Sequence, residues 1–338
     1  MTIAVTDRME IAVGKETGAW GSGTVSSSRL VRISGQNLNN QQRTIQSDEM
    51  SPDRMVSDLI LVDEEAVGNL SFELSYLNAD TIIESLLFST WVNTPEIENA
   101  TAASSISDVA GATGIVTVAS GGDAFKAGHL AQLSGFTNAA NNKVLKVTDS
   151  AAGSITFGAG AGLVDEGAPP AGAKIKVVGV EGGAGEFAAV TAGGNGISRA
   201  SGAIDFTTLG LAPGMWVKIG DATEASSSFQ NTACNGWARI SGVAADKISF
   251  DVVPSGWAAD AGAGKSIRIW FGDYLKNGVT RTPLVVERRH LDINQFFLFS
   301  GMIPGTGAVS LRSGAIATLS IDWLGKIGTR KDQASLQN

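Results

Sequence analysis

The sequence predicts a mainly β protein: a β-sandwich with one flanking α-helix, interrupted by two small duplicated β-modules. Three observations carry this reading. Forty-two glycines stand as punctuation between short apolar runs, which favours many short strands over long helices. Period-two alternation of apolar and polar residues recurs near both ends of the chain, and the clearest helical period is confined to one stretch. The middle of the chain matches itself at a fixed spacing.

Residues 1–35 are polar with short apolar patches, and Gly14 to Gly23 reads as turn-rich. Residues 36–69 are polar and acidic, carrying Arg43, Asp48-Glu49, Arg54, Asp58 and Asp63-Glu64-Glu65. A long stretch of this kind is a solvated loop or a functional one. From Leu70, Leu70, Phe72 and Leu74 alternate with Ser71, Glu73 and Ser75, the pattern of a half-buried strand. Thr81-Ile82-Ile83-Glu84 fits the S/T-x-x-E capping box. Ile82, Ile83, Leu86 and Leu87 then share one helical face, so a core-packing helix is expected to run to about Trp91. Residues 1–91 form the first half of a domain, and 92–113, which lose all pattern, read as a linker.

The duplication follows. Asn138-Ala139-Ala140-Asn141-Asn142 lies 93 residues before Asn231-Thr232-Ala233-Cys234-Asn235, and Ile155-Thr156-Phe157 lies 93 before Ile248-Ser249-Phe250. Upstream, Gly128-His129-Leu130-Ala131-Gln132-Leu133 matches Gly214-Met215-Trp216-Val217-Lys218-Ile219 at an offset of 86. Two β-modules, 114–182 and 196–272, are therefore expected, joined by a glycine-rich link. The first domain resumes over 274–326. There Ala317, Leu319, Ile321 and Trp323 alternate with Thr318, Ser320 and Asp322 in the cleanest strand of the chain. Residues 327–338 read as a polar, frayed tail.

The formal charge is −8, with a net of −9 over residues 1–98, −2 over 99–272 and +3 over 273–338. This is not the basic footprint of a nucleic-acid binder. It suits either plain solubility or a surface past which DNA slides without sticking, since non-specific affinity comes from Lys and Arg neutralising phosphates. One cysteine, Cys234, cannot form an internal disulfide, and the first ten residues lack the pattern of a signal peptide. Folding in a reducing cytoplasm is the expectation, with no membrane-spanning run.

No chemistry stands out. His129 and His290 have no nucleophile motif beside them, and Met215 occupies the place of His129 in the second module, which points to a structural role. One Cys and two distant His do not make a zinc set. Gly264-Lys265-Ser266 fails as a P-loop because Ala259 stands where the first glycine belongs. Neither a catalytic residue nor a cofactor is expected.

The segments Arg54-Met55-Val56-Ser57-Asp58-Leu59, Phe72-Glu73-Leu74-Ser75-Tyr76, Val286-Glu287-Arg288-Arg289 and Leu324-Gly325-Lys326 together resemble the major tail tube protein of long-tailed bacteriophages. The resemblance covers about 1–91 and 274–326. It implies a tail-tube-type β-sandwich whose copies form hexameric rings, stacked into a hollow tube that passes double-stranded DNA. It implies contacts with itself and with the tape measure, terminator and distal tail proteins, and a place in the virion tail after assembly in the host cytoplasm. The lumen lining is assigned to Ser71, Glu73, Ser75, Thr318, Ser320 and Asp322, a face that would serve equally as an outer solvent face. Contact between rings falls to the loop bearing Arg43, Asp48, Glu49, Arg54 and Asp58. A second reading is a surface adhesin with tandem β-modules.

Overall fold

The computed structural model describes residues 8–46, 59–75, 77–199 and 204–336. The chain divides into two compact units, Met1–Trp91 with Leu275–Asn338, and Val92–Tyr274. In chain order the first unit contributes β1 (Met9–Glu16), β2 (Val25–Val31), β3 (Gly35–Gln36), β4 (Asn39–Gln46), β5 (Leu59–Glu73) and α1 (Asp80–Leu86). The second supplies β6 (Glu96–Glu98), β7 (Ile106–Ala110), β8 (Ile115–Val118), β9 (His129–Ser134), β10 (Val144–Lys146), β11 (Asp149–Ala151), β12 (Ser154–Thr156) and β13 (Glu166–Gly167). It continues with β14 (Lys174–Glu181), β15 (Phe187–Val190), β16 (Gly196–Arg199), β17 (Trp216–Ile219), β18 (Gly236–Val243), β19 (Lys247–Val252) and β20 (Arg268–Trp270). The chain returns to the first unit as β21 (Leu284–His290), β22 (Gln295–Ser310), β23 (Thr318–Gly325) and β24 (Ile327–Lys331).

The first unit is an antiparallel sheet in the order β2-β1-β21-β22-β23-β5-β3, with β24 on β22 and β4 on β5. The 16-residue β22 is its spine: residues 295–302 pair with β21, 296–300 also with β24, and 303–310 with β23. Gly301 sits between the two halves at φ +69°, where a Cβ would come within 2.5 Å of Trp20 Nε1. That close approach lets the Trp20 indole donate to the Gly301 carbonyl at 2.9 Å. Inward side chains from both halves, among them Ile11, Val13, Leu70, Phe72, Val286, Phe299, Ile321 and Trp323, make one core. The alternation read from the sequence is realised: Leu70, Phe72, Leu319, Ile321 and Trp323 are all buried.

The flanking helix is present but shorter than expected, ending at Leu86 with Leu87 as its C-cap. The capping box does not form. Ala79 is the N-cap, so Thr81 already lies inside the first turn, and no side chain caps the helix. Glu84 turns instead to Lys15, at 2.6 Å, and accepts the Trp91 backbone N–H at 2.9 Å. The polar tail also departs from expectation, because backbone pairing does not depend on hydrophobicity: Ile327–Lys331 forms β24. Beyond it, the fully buried Glu287 carboxylate accepts from Ser335 N at 2.5 Å, Leu336 N at 3.3 Å and Arg289 Nε at 2.8 Å. Arg289 also donates to the Leu336 carbonyl, and the Leu336 side chain packs with Ala12, Val285 and Leu298.

The second unit holds a ten-stranded sheet, β10-β9-β14-β20-β17-β18-β19-β16-β15 with β6 on β14, and a five-stranded one, β11-β12-β8-β7-β13. The duplication is visible bond for bond. Asn142 exchanges side-chain hydrogen bonds with the backbone of Phe136, and Asn235 makes the same pair with Phe229. Asn138 caps Ala140 N and Asn231 caps Ala233 N. His129 Nδ1 accepts from Lys126 N at 2.9 Å where Met215 Sδ accepts from Ala212 N at 3.1 Å. Both halves bury into a single core that runs from Ile106 to Phe271.

That shared core corrects two expectations. Residues 92–113 are not a bare linker: they carry β6 and β7, with Ile106 and Val109 fully buried. Asn99, 1% exposed, anchors them by accepting from Ser105 N and Ile106 N and donating to the Ile106 and Pro169 carbonyls. The glycine-rich link likewise contains β15, whose Phe187 lies in the core at 5.2 Å from the Phe206 ring. In both stretches small residues and glycines mark tight turns between very short strands.

Two outcomes follow. Glu287→Ala would strand the Arg289 guanidinium in a buried site and should lower the unfolding free energy by about 3–5 kcal/mol, measured by urea denaturation. His129 is buried, and desolvation, aided by the Lys126 charge, holds its pKa down at about 4 against a hydrogen bond to Leu209 that opposes it. A depressed histidine pKa means that the unfolded chain takes up the proton first. Its stabilising contribution is therefore complete above pH 6.5 and is lost as the pH falls from 6.5 to about 4, roughly 3 kcal/mol in all. His129→Met, which copies the second module, should flatten that part of the stability–pH curve.

Candidate functional site

β5 and β23 pair in register from Thr318↔Glu73 through Ser320↔Ser71 and Asp322↔Asn69 to Gly325↔Ala66. Because side chains alternate across a strand, the same register that buries Phe72 and Ile321 puts Asn69, Ser71, Glu73, Thr318, Ser320 and Asp322 on the opposite face. There Asn69, Ser71, Ser320 and Asp322 form a hydrogen-bonded polar ladder, flanked by Glu73 and Thr318. Asn69 Nδ2 donates to Ser320 Oγ at 2.9 Å and to Asp322 Oδ1 at 2.8 Å. Asn69 Oδ1 accepts from Ser71 Oγ at 3.0 Å and Ser320 Oγ at 3.1 Å, and the two serine hydroxyls lie 3.1 Å apart. Glu73 and Asp322 are exposed, while Ser71, Thr318 and Ser320 are half-buried. Residues 67–73 and 318–324 contain no Lys or Arg, so the face is polar and mildly acidic from Thr318 to Asp322 and ends at Leu324, which is 57% exposed.

Five of the six residues singled out from the sequence thus share one surface. Ser75 does not join them: it lies past the end of β5, where its Oγ accepts from the Arg32 guanidinium at 2.8 Å. Asn69, the hub of the ladder, was missed. Its signal was its position, one alternation before Ser71 and directly opposite Asp322.

β4 and the first part of β5 extend from this sheet as a two-stranded ribbon, paired from Asn39↔Val67 to Gln46↔Leu59 with a shift of register between Arg43 and Thr44. Arg43 lies on β4 opposite Asp63. Asn40 and Gln42 donate to Glu64 Oε1, the latter at 3.2 Å. Toward its tip the ribbon is exposed on both faces, with Ile45, Leu59, Ile60, Leu61 and Val62 all about half or more open to solvent. Asp48, Glu49, Arg54 and Asp58 lie outside the described residues. An isolated ribbon of this length is marginal in water, and contiguous exposed apolar side chains mark contact surfaces. Among the described residues no group of three or more His, Cys, Asp or Glu stands together as a metal site, and no helix is long and apolar enough to cross a membrane.

A family model described as phage tail tube protein matches residues 6–335, nearly the whole chain and both units. No curated protein matches. Neither finding supports the adhesin reading.

The two faces of β5 should answer differently to substitution. Phe72→Ala opens the core and is expected to cost about 3–5 kcal/mol. Asn69→Ala removes hydrogen bonds among partly solvated partners and should cost about 1 kcal/mol, with both values read from equilibrium denaturation.

Proposed function

We propose a function from one premise: the chain belongs to the phage tail tube protein family and is a structural component of the virion tail. Copies associate through their sheets into hexameric rings, and the rings stack into a hollow conduit for double-stranded DNA. Head-to-tail contact closes a ring when the rotation closes and removes free sheet edges such as β2 and β3. Assembly brings the tube into contact with the tape measure, terminator and distal tail proteins.

The observation that carries this reading is the ladder of Asn69, Ser71, Glu73, Thr318, Ser320 and Asp322. A lumen has to be wettable, so that DNA meets no apolar barrier, and free of cations, so that phosphates release no counterions by binding. These six residues meet both conditions, and the hydrogen bonds among Asn69, Ser71, Ser320 and Asp322 hold those four side chains against the sheet. Ser75 belongs to the rim next to Arg32. The exposed ribbon of β4 and β5, with Arg43 on it, supplies the contact from ring to ring together with Asp48, Glu49, Arg54 and Asp58, which follow β4 in the sequence. Its apolar tip is buried only when the neighbouring ring is in place.

Negative-stain electron microscopy across a concentration and salt series tests the reading. Rings or tubes with a bore wide enough for a DNA duplex are expected, and monodisperse single copies under every condition would sink it. Ile45→Asp with Leu61→Asp should leave the fold intact, by circular dichroism, and abolish stacking. Glu73→Lys with Asp322→Lys should leave tubes that retain DNA at low salt and release it as salt rises.

A further inference from the structure

β5 runs between two exposed apolar ends. It is 15 residues long, about 45 Å from end to end when extended. At its Leu59 end it pairs with β4 in the ribbon whose tip carries Ile45, Ile60, Leu61 and Val62. At its Glu73 end it pairs with Thr318, the first residue of β23, which pairs in turn with Ser310, the last residue of β22. Residues 311–317 close that hairpin, so its tip and the ribbon tip lie beyond opposite ends of one strand. Every residue from Gly305 to Ile316 is exposed, and Val309, Leu311 and Ile316 are 56%, 73% and 64% open to solvent. The hairpin tip is held in shape by a turn in which Ala315 N donates to the Arg312 carbonyl at 3.2 Å, with Gly314 at φ +76°.

Contiguous exposed apolar side chains mark both ends as contact surfaces, and their charges differ in sign. From Asn39 to Glu65 the sequence carries seven carboxylates and two arginines, with Asp63, Glu64 and Glu65 on β5 itself. From Ile303 to Ile321 the one charged residue is Arg312. At the base of that hairpin Glu73 and Arg32, whose guanidinium reaches Ser75 at 2.8 Å, offset each other. Like ends therefore repel: ribbon on ribbon sets carboxylates against carboxylates, and hairpin on hairpin sets Arg312 against Arg312. Ribbon on hairpin matches apolar with apolar and acid with base. Two different patches at opposite ends of a molecule make a head-to-tail contact that extends without closing, which is what a stack of rings demands.

We propose that the β22–β23 tip is the seat that receives the β4–β5 ribbon of a second copy. Val309, Leu311 and Ile316 cover Ile45, Leu61 and Val62 of the incoming ribbon, and the Arg312 guanidinium faces its carboxylates from Asp63 to Glu65. The inference rests on the stacking reading given above and adds the surface that takes up the ribbon. Apolar cover supplies the affinity, and the charges fix which end meets which.

The test uses the full-length chain carrying Leu61→Cys with Leu311→Cys, the native Cys234 being buried. Mild oxidation of its stacks should give a ladder of covalently linked chains on a denaturing gel, while either substitution alone leaves single chains. Separately, Arg312→Glu should raise the concentration needed for stacking by about tenfold or more, with circular dichroism and melting temperature unchanged. Adding Glu65→Arg to that variant should recover most of the loss. Links formed by Leu61→Cys alone would set ribbon against ribbon and overturn the seat. Stacks whose paired cysteines do not link, or stacking indifferent to Arg312→Glu, overturn it as well. In each of these cases stacks are present and the tube reading stands. An unsubstituted chain that forms no stack under any condition overturns that reading and the seat with it.

Discussion

Strands β5 and β23 lie side by side over eight residue pairs, although the side chains they bring together are some 250 positions apart: Asn69 bonds Ser320 at a separation of 251. This pairing closes the first unit across the whole of the second. The entropic cost of closing so long a loop grows only as the logarithm of its length, so the fold tolerates a large insertion between the two strands. What it does not tolerate is a change of register. A slip of β5 by one residue would turn Leu70 and Phe72 to solvent and carry Asn69, Ser71 and Glu73 into the core. The core, the ladder and the direction of the ribbon that continues from β5 are three results of one alignment.

The pairing also explains how much could be read from the sequence. β5 and β23 were legible because each has one face buried and one wet, which prints the register as strict alternation. β21 was less so: Leu284 to Glu287 are all buried, because Val285 faces the small core closed by Leu336 while Leu284 and Val286 face the main one. A strand covered on both sides loses the alternating signature. The helix was found from its apolar face, but its cap was not. Thr81 and Glu84 have the right spacing, and the contact with Lys15 that claims Glu84 involves a residue far away in the chain. Asn69 was overlooked because its importance arises from Ser320 and Asp322 across the ladder.

The duplicated unit shows the opposite balance. Its repeat spacing was evident in the letters, and the Asn142 and Asn235 loops make the same bonds in both copies. Its division into separate modules was not, because the copies are knitted together by β14 pairing with β20, Val180 opposite Ile269, a long-range contact that leaves no local pattern in the sequence. Shared backbone with diverged side chains separates what the fold needs from what it merely permits. Asn142 and Asn235 fall in the first group. The pair His129 and Met215 falls between them, since a thioether takes over one hydrogen bond of a buried imidazole.

The second unit leaves and rejoins the chain at one point. Val92 and Tyr274 form an isolated antiparallel bridge and exchange backbone hydrogen bonds at 2.9 and 3.1 Å. Ends placed about 5.5 Å apart, as such a pair requires, ask no more of the host strands than a hairpin turn would. The junction is therefore a socket. Any domain whose own termini emerge as adjacent strands could take the place of the second unit, so the chain can accept an exchange of that whole unit without altering the strands of the first.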